Sequence, residues 1–474
     1  MKRRGPNVLW IMCDQLSRLA LPAFGGPYAV ETPHVDRLAR EGTVFETCYT
    51  PSPVCVPARF SALTGLYPHR TGCVGNNTPL PMRFRTAAHH FGRQGFVTAM
   101  VGKMHPVDAQ THGFDVLVDF GHYYDYLGPK TAVFAQGMGA ADSGCGVPWV
   151  STYTGGRSPW RDVAASPTQP DLLEEEDHPD SFFAREACRF LEQYGRDEAP
   201  FFLFVSFLRP HKPFAPPRRF AERYTPEWVC LPPPPKGYDP ERVPPQARPR
   251  PVPGAFTPEG DAAARAWIAP YCGNVAHVDD CTGRILGALD RLNLAEDTLI
   301  MFMSDHGDML YDHGLAAKFS FFDASSRVPL IIRWPGRVRA GARCGEVVDL
   351  GDLVPTCLEA AGAPVPEGLG GSSFWGACDP GGRRPKGWAL SELALGGPRP
   401  MYMLRTERWK FNRYVQGQSE LYDMRADPGE VNNLADEVTH QAVVQELSAR
   451  LDGLIGEEAA RCQRQGRPLP PLPE

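Results

Sequence analysis

The 474-residue chain has no Cys-x-x-Cys pair, no long apolar run and no basic excess. Its 13 cysteines are an odd number, scattered without paired spacing. That excludes zinc-finger and thioredoxin-type motifs and reads as buried or free thiols in a reducing compartment. No stretch reaches the roughly 18 apolar residues of a membrane span. The longest candidate, residues 201–208, reads as a buried strand. The N-terminal MKRRGPNVLWIMCDQ has basic residues before an apolar run, as a signal peptide does. That run is short, ends at Asp14 and lacks a small-residue cleavage site, so a cytoplasmic protein without a membrane partner is expected. A net charge of −6 argues against a nucleic-acid partner. Gly (47) and Pro (49) are abundant but aperiodic, which excludes collagen and points to long loops on a scaffold. With 42% hydrophobic and 22% charged residues, the chain is an ordinary globular one.

What is present is an alternation of apolar strands and amphipathic segments. Residues 7–13 form a continuous apolar run, the pattern of a parallel strand covered on both faces. Thr32 and Pro33 open a helix that runs to Glu41, with Thr32 as N-cap and Pro33 in the first helical position. A second helix starts just after Cys55, and residues 96–101 read as another strand. Residues 121–180 lose periodicity and carry Tyr123, Tyr124, Tyr126 and the acidic run at 174–177, an excursion that lines or covers something. Order returns with a helix at 181–194 and a strand at 200–208. The proline-rich stretch 231–254 is a surface connection. A long helix over 261–292, strands at 298–303 and 328–333 and a helix at 352–361 follow. The text changes near 375, dividing a catalytic part (1–375) from a C-terminal part (376–474) with strands at 401–405 and 409–414 and a final helix at 439–457. An α/β fold is expected: a mixed sheet with helices on both faces, plus a smaller α+β subdomain.

Chemistry-bearing residues fall where strands end. Asp14 follows the first strand, Lys103 and His105 the strand at 96–101, and Asp305 and His306 the strand at 298–303. In open parallel sheets ligands bind at the carboxyl ends of strands, so these groups can converge. Two carboxylates and an imidazole suit a divalent cation. A fourth site is Cys55 in PSPVCVPARFSALTG. Pro57 suits the first turn of a helix, and Arg59 returns to the face of residue 55. A nucleophile beside a guanidinium at a helix N-terminus suits an oxyanion substrate. Each residue alone has a plainer reading. An Asp after a strand caps a turn, Lys103 and Lys318 can be surface lysines, and His211 between two prolines can be a loop residue. Cys13 reads as a packed apolar residue and His313 as structural.

Cys55 to Arg59, followed by Leu63-Thr64-Gly65 and Arg70-Thr71-Gly72, resembles the sulfatase signature. Blocks at 7–15, 32–50, 102–105 (GKMH), 209–214 (RPHKPF), 304–318 (SDHGDMLYDHGLAAK), 327–336 and 420–434 resemble the rest of that family in order. The resemblance implies an alkaline-phosphatase-like fold and a formylglycine made from Cys55 by a maturation enzyme. It implies that Asp14, residue 55, Asp305 and His306 surround one divalent cation, calcium first and manganese as the alternative. Cys13 stands before Asp14 where many sulfatases have a second Asp, so the set resembles those of choline sulfatases and phosphonate monoester hydrolases. Arg59 would stabilise the hydrated aldehyde. Lys103, His211 and Lys318 would bind sulfate oxygens, and His211 or Lys318 would protonate the leaving oxygen. His105 would act as base to expel sulfate, and Asn76 would be a further sulfate ligand.

The expected activity is hydrolysis of a small sulfate monoester. The competitors are phosphonate monoester or phosphodiester hydrolysis, and a catalytically silent anion- or metal-binding protein. Lys103 and His105 favour sulfate. Tyr123, Tyr124, Tyr126 and Trp149 can form a cage for a quaternary ammonium, stack on a ring, or simply pack. A homo-oligomer stays open, with the proline-rich tail 468–474 able to reach a neighbour.

Overall fold

The computed structural model describes residues 5–28, 30–104, 110–130, 173–239, 243–248, 250–378, 382–397, 399–415 and 418–469. Fifteen strands are β1 (Asn7–Asp14), β2 (Thr43–Phe45), β3 (Cys48–Tyr49), β4 (Val97–Gly102), β5 (Val116–Val118), β6 (Phe201–Pro210), β7 (Thr298–Ser304), β8 (Arg327–Val328), β9 (Leu330–Arg333), β10 (Ala342–Cys344), β11 (Val348–Asp349), β12 (Trp388–Leu393), β13 (Met401–Thr406), β14 (Trp409–Arg413) and β15 (Ser419–Asp423). Eight of them form the main sheet in the order β10-β2-β9-β7-β1-β6-β4-β5. Within it β1 pairs in parallel with β6 and β7, and β4 with β5 and β6, while β9 runs antiparallel to β7 and β2. The sheet is therefore mixed.

Alternation explains the continuous apolar runs. Leu9, Ile11, Phe201, Leu203, Val205, Ile300 and Phe302 face one buried cluster. Val8, Trp10, Met12, Phe202, Phe204, Leu299, Met301 and Met303 face the other. Both faces of the sheet are covered, as the sequence pattern requires. Helices α3 (Pro179–Tyr194) and α4 (Pro258–Arg291) cover the first face; α2 (Cys55–Thr64) and α5 (Leu353–Ala360) cover the second.

Three expectations need correction. Thr32 takes the N-cap position of α1 (Pro33–Glu41) and Pro33 the first helical one, but the Thr32 side chain accepts no helix amide: His34 and Val35 donate instead to Asp279 of α4, Val35 at 2.7 Å. The strand expected at 328–333 is divided, β8 joining a three-stranded sheet with β3 and β11 and β9 joining the main sheet. Pro329 lies at the break, where the ladder loses a donor. The expected aperiodic stretch begins with a helix, Phe120–Leu127, capped by Asp119, which accepts from Gly121 and His122. Tyr123 is buried against Phe182 and donates to the Asp177 carbonyl, while the exposed Tyr126 donates to the Asp177 carboxylate. These contacts fasten the helix to α3. Trp149 lies outside the described residues.

A four-stranded antiparallel sheet, β12-β13-β14-β15, follows. Its apolar face (Leu390, Leu404, Phe411, Leu421) packs on Leu447, Leu451 and Ile455 of α6 (Gln441–Ile455). Lys410 of β14 anchors it to the main body, reaching Asp323 at 2.8 Å and Glu430 at 2.5 Å.

Candidate active site

The site grows from neighbouring strands of the sheet centre. β4, β6, β1 and β7 are adjacent and parallel, so their carboxyl ends lie side by side. Asp14 ends β1, Asp305 and His306 follow β7, Lys103 follows β4 and His211 follows β6. Helix α2 brings Cys55 to the same place as its first residue, fully covered. The amide of Val56, one of the helix's unsatisfied first donors, is taken by the Asn76 side chain at 3.1 Å. Half-buried Asn76 thus stands beside position 55.

The two carboxylates are each used on both sides. Asp14 Oδ2 binds Arg59 Nη2 at 3.1 Å and Lys103 Nζ at 2.7 Å. Its Oδ1 faces Cys55 Sγ at 3.7 Å, His306 Nε2 at 3.9 Å and His211 Nε2 at 4.0 Å. Asp305 Oδ2 binds Arg59 Nε at 2.9 Å, while its Oδ1 accepts the amides of Gln15 and His306 and lies 3.6 Å from His306 Nε2. Burial and Cys55 push the Asp14 carboxyl up, but Lys103, His211 and Arg59 outweigh them and hold it well below the ordinary carboxylate range. Burial and Lys318 push His306 down, and Asp305 and Cys55 together outweigh them, leaving it raised. Its Nδ1 bonds the Gly307 carbonyl at 3.0 Å. That fixes the proton on Nδ1 and turns the Nε2 lone pair inward.

One donor atom from each of Asp14, Cys55, Asp305 and His306 lies within 4.8 Å of the others, all four buried. Oxygen donors at calcium distances of 2.3–2.6 Å sit roughly 3.3–3.7 Å apart at right angles. The spacings of 3.2 Å (Cys55 to His306), 3.6 Å (Asp305 to His306) and 3.9 Å (Asp14 to His306) place the four donors around one point, as a single divalent cation requires. Lys318 completes the group, Nζ at 2.9 Å from Cys55 Sγ and 3.1 Å from His306 Nε2. Three full positive charges (Arg59, Lys103, Lys318) meet two negative ones even before a cation enters. In a chain of net charge −6, this is a local centre for an oxyanion.

Of the residues singled out in the sequence, Asp14, Cys55, Arg59, Asn76, Lys103, His211, Asp305, His306 and Lys318 converge here. His105 lies outside the described residues. Cys13 turns away into the apolar cluster, so a carboxylate there would not face the cation set. Gln15 is the neighbour that does face the acidic loop, its side-chain amide meeting Asp308 at 2.5 Å. Two supports went unnoticed in the sequence. Ser206 accepts from Arg59 Nη1 at 2.5 Å. Asp180 holds the amides of Leu208 and Arg209 at the end of β6, just before His211. A lone serine in FFLFVSFLRP was the available signal for the first.

Residues 6–363 match the family described as Sulfatase, and residues 311–457 match the one described as N-sulphoglucosamine sulphohydrolase, C-terminal. An arylsulfatase of Clostridium perfringens is 29% identical over 467 residues, covering 94% of this chain and 95% of its own. A choline-sulfatase of Rhizobium meliloti is 30% identical over 452 residues, covering 91% and 82%. The crystal structure of a phosphonate monoester hydrolase of Agrobacterium radiobacter superposes with a TM-score of 0.73 at 26% identity, covering 95% of each chain. The match spans most of the chain and includes the strand ends that carry the donor set: the chain belongs to the sulfatase family.

Proposed function

We propose that this protein hydrolyses a small sulfate monoester to an alcohol and inorganic sulfate, with position 55 as nucleophile. The observation that carries this reading is the surround of Cys55. It is the first residue of a buried helix, with Lys318, His306 and Asp14 within 3.7 Å of its sulfur. Cys55 is the residue a maturation enzyme converts to formylglycine, which supplies a hydroxyl nucleophile when hydrated. Asp14, Asp305, His306 and position 55 would hold one divalent cation, calcium or manganese, which would supply charge stabilisation to oxygens at the reacting centre.

The chain's own residues do the rest. Arg59 binds both carboxylates from behind and keeps one oxygen of each turned to the centre. Lys103 keeps Asp14 ionised. Lys318, beside position 55, binds a sulfate oxygen and orients the ester in line with the nucleophile. His211 has Nδ1 on the Lys212 carbonyl at 2.9 Å and Nε2 toward Asp14. In the imidazolium form, with Nδ1 held by that carbonyl, Nε2 carries the proton that the leaving alcohol takes. His105 is assigned the base role for release, and Asn76 a sulfate contact. The described cysteines, most of them buried, suit a cytoplasmic setting. No described helix is long and apolar enough to cross a membrane.

Peptide mass spectrometry on the Cys55 fragment from the native host is the first test. A mass about 18 Da below that of the thiol form is expected for the aldehyde nucleophile. An unmodified thiol there would overturn the mechanism and favour a silent binding protein. A panel of sulfate and phosphonate esters then separates the sulfatase from the phosphonate hydrolase reading; higher kcat/KM on phosphonates would reverse the assignment.

A further inference from the structure

A second set of ligating side chains is buried away from Cys55. His178 stands just before α3, Asp180 lies in its first turn and His277 is in the middle of α4. One donor atom from each lies within 4.8 Å of the others, and all three residues are 0% exposed. The two imidazoles meet at 89° with centroids 4.5 Å apart. That is the arrangement of two rings on adjacent positions of one ion as much as an edge-to-face contact.

The outer partners follow the pattern of ligands rather than of a self-contained network. His178 bonds the Ala215 backbone. Asp180 accepts from Leu208 at 2.7 Å and Arg209 at 3.2 Å. His277 Nε2 meets Ser181 Oγ at 2.9 Å, while His277 Nδ1 is buried with no hydrogen-bond partner among the described residues. Metal-binding His and Asp are held in this way by second partners that fix tautomer and orientation. A helix–helix contact filled by Leu or Val would need none of this, and unpaired buried polar atoms are costly.

We propose that His178, Asp180 and His277 form a structural divalent-metal site of the zinc class, separate from the catalytic cation. Two imidazoles and one carboxylate suit zinc better than calcium. The Cys281 thiol, one turn beyond His277 and 3.5 Å from its Nε2, stands with Ser181 on the outer side of that ring. Arg209, the nearby cation, turns its guanidinium to the carbonyls of His211 and Pro213. Such an ion would tie α3, α4 and, through Asp180, the end of β6 that leads into His211.

The test is elemental analysis of the full chain after incubation with Zn2+ and gel filtration into metal-free buffer. About one tightly held zinc per chain is expected, as for a closed structural site. It should survive Asp305→Asn, which breaks the catalytic set, and fall at least fivefold in His277→Gln. X-ray absorption at the zinc edge of the unsubstituted protein should show two imidazole ligands, a reading that needs no variant to fold. Absence of retained zinc would overturn the proposal. So would zinc that leaves with Asp305→Asn and stays with His277→Gln, or that survives both. None of these readouts depends on sulfatase activity, so failure here leaves the proposed function standing.

Discussion

Arg59 binds Asp305 by Nε to Oδ2 at 2.9 Å, on the side of the carboxylate away from His306. The same guanidinium treats Asp14 alike, taking Oδ2 and leaving Oδ1 to the centre. One planar fork therefore orients two buried carboxylates. Lysine has no fork and one point of charge. Arg59→Lys is expected to leave one carboxylate uncompensated, costing about 3–5 kcal/mol by analogy with other broken buried pairs. The melting temperature should fall, and added Ca2+ should restore less of it than in the parent protein. Unchanged calcium stabilisation in the variant would show that Arg59 does not orient the donors.

Much of this site was legible because its residues interrupt apolar runs. Asp14, Lys103, Asp305 and His306 each follow a buried strand, and parallel neighbours bring such ends together. What was not legible depends on contacts between distant elements. Asp279 caps α1 from 244 positions away, and no local pattern around Thr32 signals it. Ser206 supports Arg59 from inside a strand whose sequence announces only burial. The aromatic helix at Phe120–Leu127 is short and is set by the ring contacts it makes with α3. Gln15 faces inward because its backbone is left-handed (φ 65°), which breaks the strand alternation that places Cys13 in the core.

His211 offers a leaving-group test. If its Nε2 protonates the departing alcohol, His211→Asn should cut kcat on an alkyl sulfate by about 10²–10³-fold. A nitrophenyl sulfate, whose leaving group needs no proton, should lose far less. Equal losses on both substrates would move the proton to Lys318 and leave His211 a binding role.

The cap on α1 predicts an inversion of the usual expectation. Asp279→Ala removes the acceptor for the His34 and Val35 amides and should cost about 1–2 kcal/mol. Thr32→Ala, at the position a sequence rule would choose, should cost much less. Amide exchange at residues 34 and 35 should accelerate in the first variant only.

The anchor of the C-terminal sheet makes stability depend on acid. Burial alone would raise the Asp323 carboxyl; Lys410 at 2.8 Å and Arg327 at 3.1 Å outweigh it and hold it below its ordinary value. A carboxylate depressed in the folded state stabilises above its unfolded pKa, and that gain is lost as pH falls through the folded one. Glu430, pushed up to about 7 chiefly by burial, stays protonated across that acid range in the parent protein. The loss between pH 5 and strong acid therefore belongs to Asp323. Asp323→Asn should be less stable than the parent at pH 6 by about 3–5 kcal/mol, the cost of breaking a buried pair. The gap should narrow steadily below pH 4 as the parent's carboxylate is protonated. Parallel melting curves for the two proteins from pH 6 to pH 2.5 would show instead that Lys410 is satisfied by Glu430 alone.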